Sequence, residues 1–453
     1  MPDMKPKHYL RLAAFLAILG IALLAVPTVI RALPGRYAYY LPEPLKRLRR
    51  RDHPITLPTS EMTPLVTTPE PTSPPPTMVS TATSTAAPPS PTSTQAITAT
   101  PAPTETPEPT PTPTPTPPPS VLLEGLRHER QGWNNCGPTT LAMAMSYWGR
   151  EDTQMDIAPL CKPDPEDKHV GIHQMEAYAR DQGLGTVIRV GGTLSDLKIL
   201  LNAGFPVVIE SWYVRDARDQ LGHYRLVIGY DDEQGRFSLY DSLYDPPTTM
   251  GYQELDEMWR VFDRTYLVLY EPDRWDDLSI LLGLAGPPPQ MEAPEIVGPE
   301  LDDPAMYEEA LAVAYREIEN APESCVAYAE CSDWVTFAWF NVGTNLTALG
   351  RFAKASSAYD QARQFGLHYR MLWYQFGPYE AYYAAGRYDD VIALADATLA
   401  TAKNLEESYY WRGKARLALG ERDAARVDFK SALKYHEKWP PAVEALAAMD
   451  ADP

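Results

Sequence analysis

The stretch from Pro54 to Ser120 limits what this chain can fold into more than any other part of it. It is built mostly from Pro, Thr, Ser and Ala, contains no Lys or Arg, and ends in TPAPTETPEPTPTPTPTPPP. A segment of this composition cannot bury a core and stays extended. As polyproline II, at about 3.1 Å per residue, it reaches up to roughly 200 Å. Residues 54–120 are therefore expected to be a disordered stalk. The folding part of the chain must lie before it, in residues 1–53, or after it, in residues 121–453.

Residues 1–53 carry one apolar run, Leu12 to Ile30, preceded by Lys5, Lys7 and Arg11. As a helix it spans about 28 Å, close to the thickness of a hydrocarbon core. A cleaved signal peptide needs small residues before the cut, and the candidate Ile30-Arg31-Ala32 lacks one three positions before it. The run is expected to be an uncleaved transmembrane helix, with 1–53 forming a membrane anchor with basic flanks. Arg31, Arg36 and the cluster from Lys46 to Arg51 argue for a cytoplasmic C-terminal flank. The stalk composition argues for the opposite face, and the expectation adopted is a single-pass protein with extracytoplasmic globular domains. The net charge of −20 argues against a nucleic-acid partner, because no basic surface is available for phosphates.

At Val121 the composition changes abruptly. In QGWNNCGPTTLAMAMSYWG, Gly137 and Pro138 mark a helix start, Leu141, Met145 and Trp148 repeat at helical spacing, and Gly149 suits a C-cap. Cys136 thus sits at a helix N-terminus, where the dipole and free N–H groups favour a thiolate. A thiolate nucleophile needs a base and the base needs an orienting group. Of the eight histidines, His223 has the best context. It precedes YRLVIGY, then a turn-like DDEQG, then RFSLYD ending at Asp241. In an antiparallel hairpin centred on residue 232, His223 and Asp241 would stand across from each other. Gln131, five residues before Cys136, has a side-chain amide that can donate to an oxyanion, with the Cys136 N–H as the second donor.

These residues carry a resemblance. Gln-x4-Cys-Gly-Pro-Thr-x-Leu-Ala-Met, then Gly-His-Tyr before a strand, then Asp on the next, resembles the bacteriocin-leader-processing (double-glycine) cysteine peptidases, and more closely their stand-alone relatives within the papain-like superfamily. The resemblance covers nearly all of 121–272. It implies a papain-like cysteine peptidase with Cys136 as nucleophile, His223 as base, Asp241 as orienter and Gln131 in the oxyanion hole, acting on a peptide or protein substrate without cofactor or metal. Ser242 follows Asp241 where the family usually has proline, and Asp245, before Pro246, is the second carboxylate to weigh. No Walker motif or multi-span region follows, so cleavage at a double glycine is not implied.

The rest of 121–272 fits an α+β domain with a mostly antiparallel sheet. Strands are expected at 186–190, in PVVIESW and in TYLVLY, and helices in DKHVGIHQMEAYARDQGL, SDLKILLNAG and YQELDEMWRVF. Cys161, His169 and His173 lack a fourth ligand and are not expected to hold a metal. Cys325 and Cys331 are close enough for a local disulfide, or are two small buried residues.

Residues 273–300 are expected to be a connector, and 301–453 are helical with a repeat. Gly350, Gly386 and Gly420 recur at near-constant spacing. Trp339, Gly343, Phe352, Ala355, Tyr359 and Ala362 fall in the order of a tetratricopeptide unit, with Tyr382, Tyr388 and Ala395, then Gly413, Ala425, Phe429 and Ala432, in the following units. This resembles an all-α tetratricopeptide solenoid whose second unit is degenerate at Pro378 and Tyr379. Such an array either binds a protein partner or packs on the domain before it. Two other functions stay open: acyl transfer of the transglutaminase kind by the same triad, or a binding module without activity.

Overall fold

A computed structural model describes residues 25–46, 57–58, 117–216, 219–284, 287, 303–321 and 332–451. Most of the apolar run Leu12–Ile30, most of 54–120, and Cys325 and Cys331 lie outside the described residues. Among the described residues no helix is long and apolar enough to cross a membrane.

Alternating side chains on two long strands set the layers of the first domain. Its elements are β1 (Ser120–Leu122), α1 (Cys136–Tyr147), α2 (Gln154–Cys161), α3 (Ile172–Asp181), β2 (Gly185–Arg189), α4 (Leu194–Asn202), β3 (Val207–Asp216), β4 (Asp219–Asp231), β5 (Arg236–Tyr240), β6 (Thr248–Gly251), α5 (Tyr252–Trp259), β7 (Tyr266–Tyr270) and α6 (Trp275–Leu282). The strands run in the order β2-β7-β3-β4-β5-β6, with β1 added to β4, and every pairing is antiparallel. Val208, Leu226, Ile228, Leu267 and Leu269 point to one face and pack with Leu141 and Met145 of α1 and Met175 of α3. Val207, Ile209, Val227 and Val268 point to the other and meet Leu197 and Leu201 of α4, Trp259 of α5 and Leu278 of α6. The period of two therefore buries both faces of the central strands.

Capping fixes where the helices begin. Thr153 and Asp156 form a capping box at α2, and Thr193 and Asp196 another at α4. Helix α6 falls inside the stretch expected to be a connector. Trp275 and Leu278 are buried in the sheet core, so apolar packing carries the first domain past residue 272.

The expected hairpin forms, but in a shifted register. Asp231 faces Arg236 and Leu226 faces Tyr240, with a bulge between Val227 and Gly229. The four-residue turn 232–235 centres the hairpin beyond residue 232, and the bulge recovers only one step of that shift, so Asp241 does not stand across from His223. It lies one step past the Leu226–Tyr240 pair, level with Arg225, and meets His223 on the diagonal.

The helical region comprises α7 (Pro304–Glu319), α8 (Ser332–Ala348), α9 (Phe352–Gln364), α10 (Gly377–Ala384), α11 (Tyr388–Thr401), α12 (Glu406–Ala418), α13 (Arg422–Tyr435) and α14 (Pro440–Ala451), with a 3-10 segment at Tyr369–Trp373. Gly350, Gly386 and Gly420 have φ of +69°, +74° and +84° in the turns after α8, α10 and α12. Only glycine adopts this conformation freely, which explains their regular recurrence. The region does not stand apart from the sheet. Trp212, Val261 and Phe262 share one apolar core with Phe337, Phe340 and Leu346 of α8. Asn341 Nδ2 donates to Arg260 O at 2.7 Å, and Asn345 Nδ2 to Asp263 Oδ2 at 2.8 Å.

The segment before the Pro/Thr stretch and both ends of that stretch also touch this body. The Gly35 and Arg36 N–H groups donate to Glu166 at 2.9 and 3.1 Å, and the Tyr39 ring lies 5.6 Å from Trp133. Arg363 Nε donates to Pro58 O at 3.1 Å, and Tyr230 Oη to Pro118 O at 2.9 Å. Residues before the stretch, held by paired hydrogen bonds and an aromatic contact, and Pro58 and Pro118 near its two ends are thus docked on the body.

The shared core makes the two regions one cooperative unit. Phe262→Ala is expected to destabilise both by roughly 3–5 kcal/mol. Hydrogen exchange in peptides from β3 and α8 should rise together, and a change confined to one of them would contradict the shared core.

Candidate active site

Helix α1 begins at Cys136, with Asn135 as N-cap. The first N–H groups of a helix have no intrahelical partner, so the thiol stands among unused donors. Opposite it, His223 lies near the middle of β4, immobilised by the sheet: Ser211 Oγ donates to His223 O at 2.9 Å, and the Tyr213 ring lies 5.7 Å from the imidazole. His223 Nε2 and Asp241 Oδ1 are 2.8 Å apart. Nε2 is therefore the nitrogen that donates to the carboxylate, and Nδ1 is left for Cys136, whose side chain is hydrogen-bonded to His223.

Asp241 is shared. Its Oδ2 accepts from Arg225 Nε at 3.0 Å, and its Oδ1 also accepts from Leu243 N at 2.9 Å. Arg225 in turn reaches Ser211 Oγ at 2.5 Å and Trp212 O at 3.3 Å. His223, Arg225 and Asp241 are exposed by only 1%, 3% and 3%, so these are charges in a medium of low dielectric. Breaking such a buried group by removing one partner costs about 3–5 kcal/mol.

This arrangement moves the ionisations. Burial works against a charged Cys136, but the hydrogen bond and charge of His223, with the N–H groups of Tyr224 and Gly137, outweigh it and bring the thiol below its ordinary value. Burial also works against a charged His223. The Asp241 carboxylate outweighs it and raises the imidazole above its usual range. Asp241 itself, despite burial, is held well below the carboxylate range by His223 and Arg225. Its contribution to stability is thus complete above the ordinary carboxylate range and is lost as pH falls through its depressed value. Glu210, on β3 beside the site, goes the other way: burial and then the charge of Cys136 push its carboxyl up to about 8.

Gln131 is pinned by the residue after the carboxylate. Ser242 Oγ donates to Gln131 Oε1 at 2.7 Å, and Gln131 N donates to Ser242 O at 3.1 Å. With its oxygen engaged, the amide presents its NH2 as the available donor. Of the two carboxylates weighed from sequence, Asp241 is the one in contact with His223. Asp245 is 94% exposed and lies 3.8 Å from Arg130. The structure thus brings together Cys136, His223 and Asp241, with Gln131 tied to the same loop.

Cys161, His169 and His173 point to separate partners. The Cys161 thiol donates to Gln174 O at 3.5 Å, His173 Nδ1 lies 3.2 Å from Glu176, and the His169 ring meets Phe376 at 5.0 Å. Among the described residues no group of three or more such side chains could hold a metal ion. Sequence reading missed Arg225, although its place two residues after His223 puts both on the same side of β4. It also missed Ser211, Glu210 and the use of Ser242, which carry no signature of their own.

Residues 123–270 match the Peptidase_C39 like family. The match covers the sheet domain and contains all four of the residues just described. Two solved structures are similar to parts of the chain. One is a putative C39-like peptidase from Bacillus anthracis, 17% identical, covering 34% of this chain and 98% of that one, with a TM-score of 0.28. The other is the peptidase domain of Streptococcus ComA, a bifunctional ABC transporter involved in quorum sensing, 16% identical, covering 33% and 99%, with a TM-score of 0.25. No curated protein matches the chain.

The two described thiols should differ sharply in alkylation. Cys161 is pushed up to about 12 by burial, whereas Cys136 lies below its ordinary value. A thiolate is present above its pKa, so the Cys136 rate should begin to rise at lower pH than that of a free thiol, with Cys161 protected throughout. Iodoacetamide labelling across pH, read by peptide mass spectrometry, tests this, and equal rates at the two sites would contradict it.

Proposed function

We propose that this chain is a cysteine peptidase that hydrolyses peptide bonds through Cys136, His223 and Asp241. The observation that carries the reading is the buried contact between His223 Nε2 and Asp241, which leaves Nδ1 for the neighbouring thiol at a helix start. In this reading the Cys136 thiolate attacks the peptide carbonyl carbon. The oxyanion that forms is met by the Cys136 N–H and the Gln131 amide. The proton on His223 Nδ1 passes to the departing amine, which leaves a thioester on Cys136. His223 then takes a proton from water, the hydroxide adds to the thioester, and the acid and the thiol are released. Asp241 fixes the tautomer and stabilises the imidazolium, as the carboxylate does in other triads. Arg225 keeps Asp241 ionised and in place.

The wider reading adds the other parts of the chain. Leu12–Ile30 anchors it as a single membrane-spanning helix, and the globular part lies outside the cytoplasm. Docking of Gly35 and Tyr39 on the body favours a position close to the membrane surface. The helical region is read as a tetratricopeptide array, supported by the glycines at the turns after α8, α10 and α12, with a protein partner on its open surface.

Cys136→Ala should abolish cleavage of an unstructured peptide library read by mass spectrometry. Asp241→Asn should keep the fold and lower kcat by about 10²–10⁴. Asp245→Asn should stay within about twofold of wild type, as expected for an exposed site. Activity that survives Asp241→Asn but not Asp245→Asn would overturn the assignment of the carboxylate, and activity in Cys136→Ala would overturn the peptidase reading.

A further inference from the structure

The helical region reaches the sheet domain on both sides of Cys136. One side is the end of β4 that carries His223. There Arg370 Nη1 donates to Asp219 Oδ1 and to Gln220 O, both at 2.8 Å, and the His368 ring meets Trp212 at 5.5 Å. The Tyr374 ring covers Gly222, the residue before His223: a Cβ built on Gly222 would come within 3.1 Å of Tyr374 Cδ2. The ring is held from behind by Phe262, at 6.1 Å.

The other side is the loop 162–169, which is tied to the residues just before Cys136. Lys162 Nζ donates to Trp133 O at 3.2 Å, and Asn134 Nδ2 to Asp167 O at 2.8 Å. The helical region meets this loop twice, through Asn404 Nδ2 donating to Asp164 Oδ2 at 2.9 Å and through Phe376 against His169. Residues 368–376 and Asn404 therefore span from the histidine wall of the site to the cysteine wall. Cys136 is not closed off, since its side chain is only partly buried. Burial pushes the Tyr374 hydroxyl up, Arg370 works against this, and the charges of Cys136 and Glu210 add to it, which places the ring near the thiol.

We propose that residues 368–376 form a wall of the substrate cleft and that Tyr374 is its specificity-determining residue, admitting an extended peptide or a small acyl group and excluding a loop of a folded protein. The proposal rests on the peptidase reading and adds to it the element that decides what reaches the thiol. Gly222 belongs to the same wall. A Cβ there would meet Phe262 Cζ at 3.0 Å and Tyr374 Cδ2 at 3.1 Å, so both rings close on the strand beside the base and leave little room for a side chain. A ring held by apolar contact with Phe262 and Gly222 narrows the approach to Cys136 without charge. Its removal should therefore act through size.

The test compares two maleimides on the full chain, N-ethylmaleimide and the bulkier fluorescein maleimide, by their labelling rates at Cys136. The readout is the ratio of bulky to small probe within each variant, which cancels changes in thiol ionisation. Tyr374→Ala should raise that ratio by about tenfold or more, and Tyr374→Phe should leave it within about twofold of wild type, the range in which pocket size acts. Tyr374→Leu keeps an apolar side chain against Phe262 and gives the same answer if the alanine variant aggregates. A ratio indifferent to Ala and Leu, with Cys136 still the fastest thiol, would overturn the wall alone. A Cys136 no faster than Cys161 in wild type would overturn the peptidase reading and the wall with it.

Discussion

The candidate site depends on one buried carboxylate held between two cations. Asp241 accepts from His223 on one oxygen and from Arg225 on the other, and all three side chains are out of water. A lone buried carboxylate would take up a proton, and a lone buried imidazole would lose one. Together they hold their charges, and the imidazole in turn supports a thiolate at Cys136. Arg225 works on this through position: it ties the carboxylate to Ser211 and to the backbone of Trp212, so the orientation of the base is set by the neighbouring strand β3.

The same strand joins the chemistry to the helical region. Ser211 faces the site, while Trp212 enters the core shared with Phe262 and Phe337. The end of β3 and the start of β4 therefore serve two partners, the triad and the helices. This gives the helical region a structural reason to be fused to the sheet domain, whether or not it also binds another protein.

Much of this was legible in the sequence. The step in composition at Val121, the helix start at Cys136 and the alternating strands follow from local rules that the structure also obeys. The glycines at 350, 386 and 420 were visible because only a left-handed turn calls for them so regularly. Other features were not legible because they depend on register or on distant contacts. The turn falls at 232–235, so the hairpin is centred later than residue 232; the bulge at Val227/Gly229, which no local pattern marks, brings Asp241 one step back toward His223, level with Arg225. Ser242 looked like a departure from a family pattern, yet it holds the Gln131 amide across 111 residues of sequence. Helix α6 was hidden by the proline-rich sequence that follows it, and Tyr374 by its place in a region read only for its repeat.

The central claim is that His223 is an imidazolium with Nε2 turned to Asp241 and Nδ1 to the thiolate. Nitrogen NMR of the full chain labelled at histidine reads this directly. At a pH near the ordinary histidine value of about 6.5, where a free imidazole is half charged, both His223 nitrogens should carry a proton. That state should be lost in Asp241→Asn. A neutral His223 under those conditions, or an imidazolium indifferent to Asp241→Asn, would contradict the account.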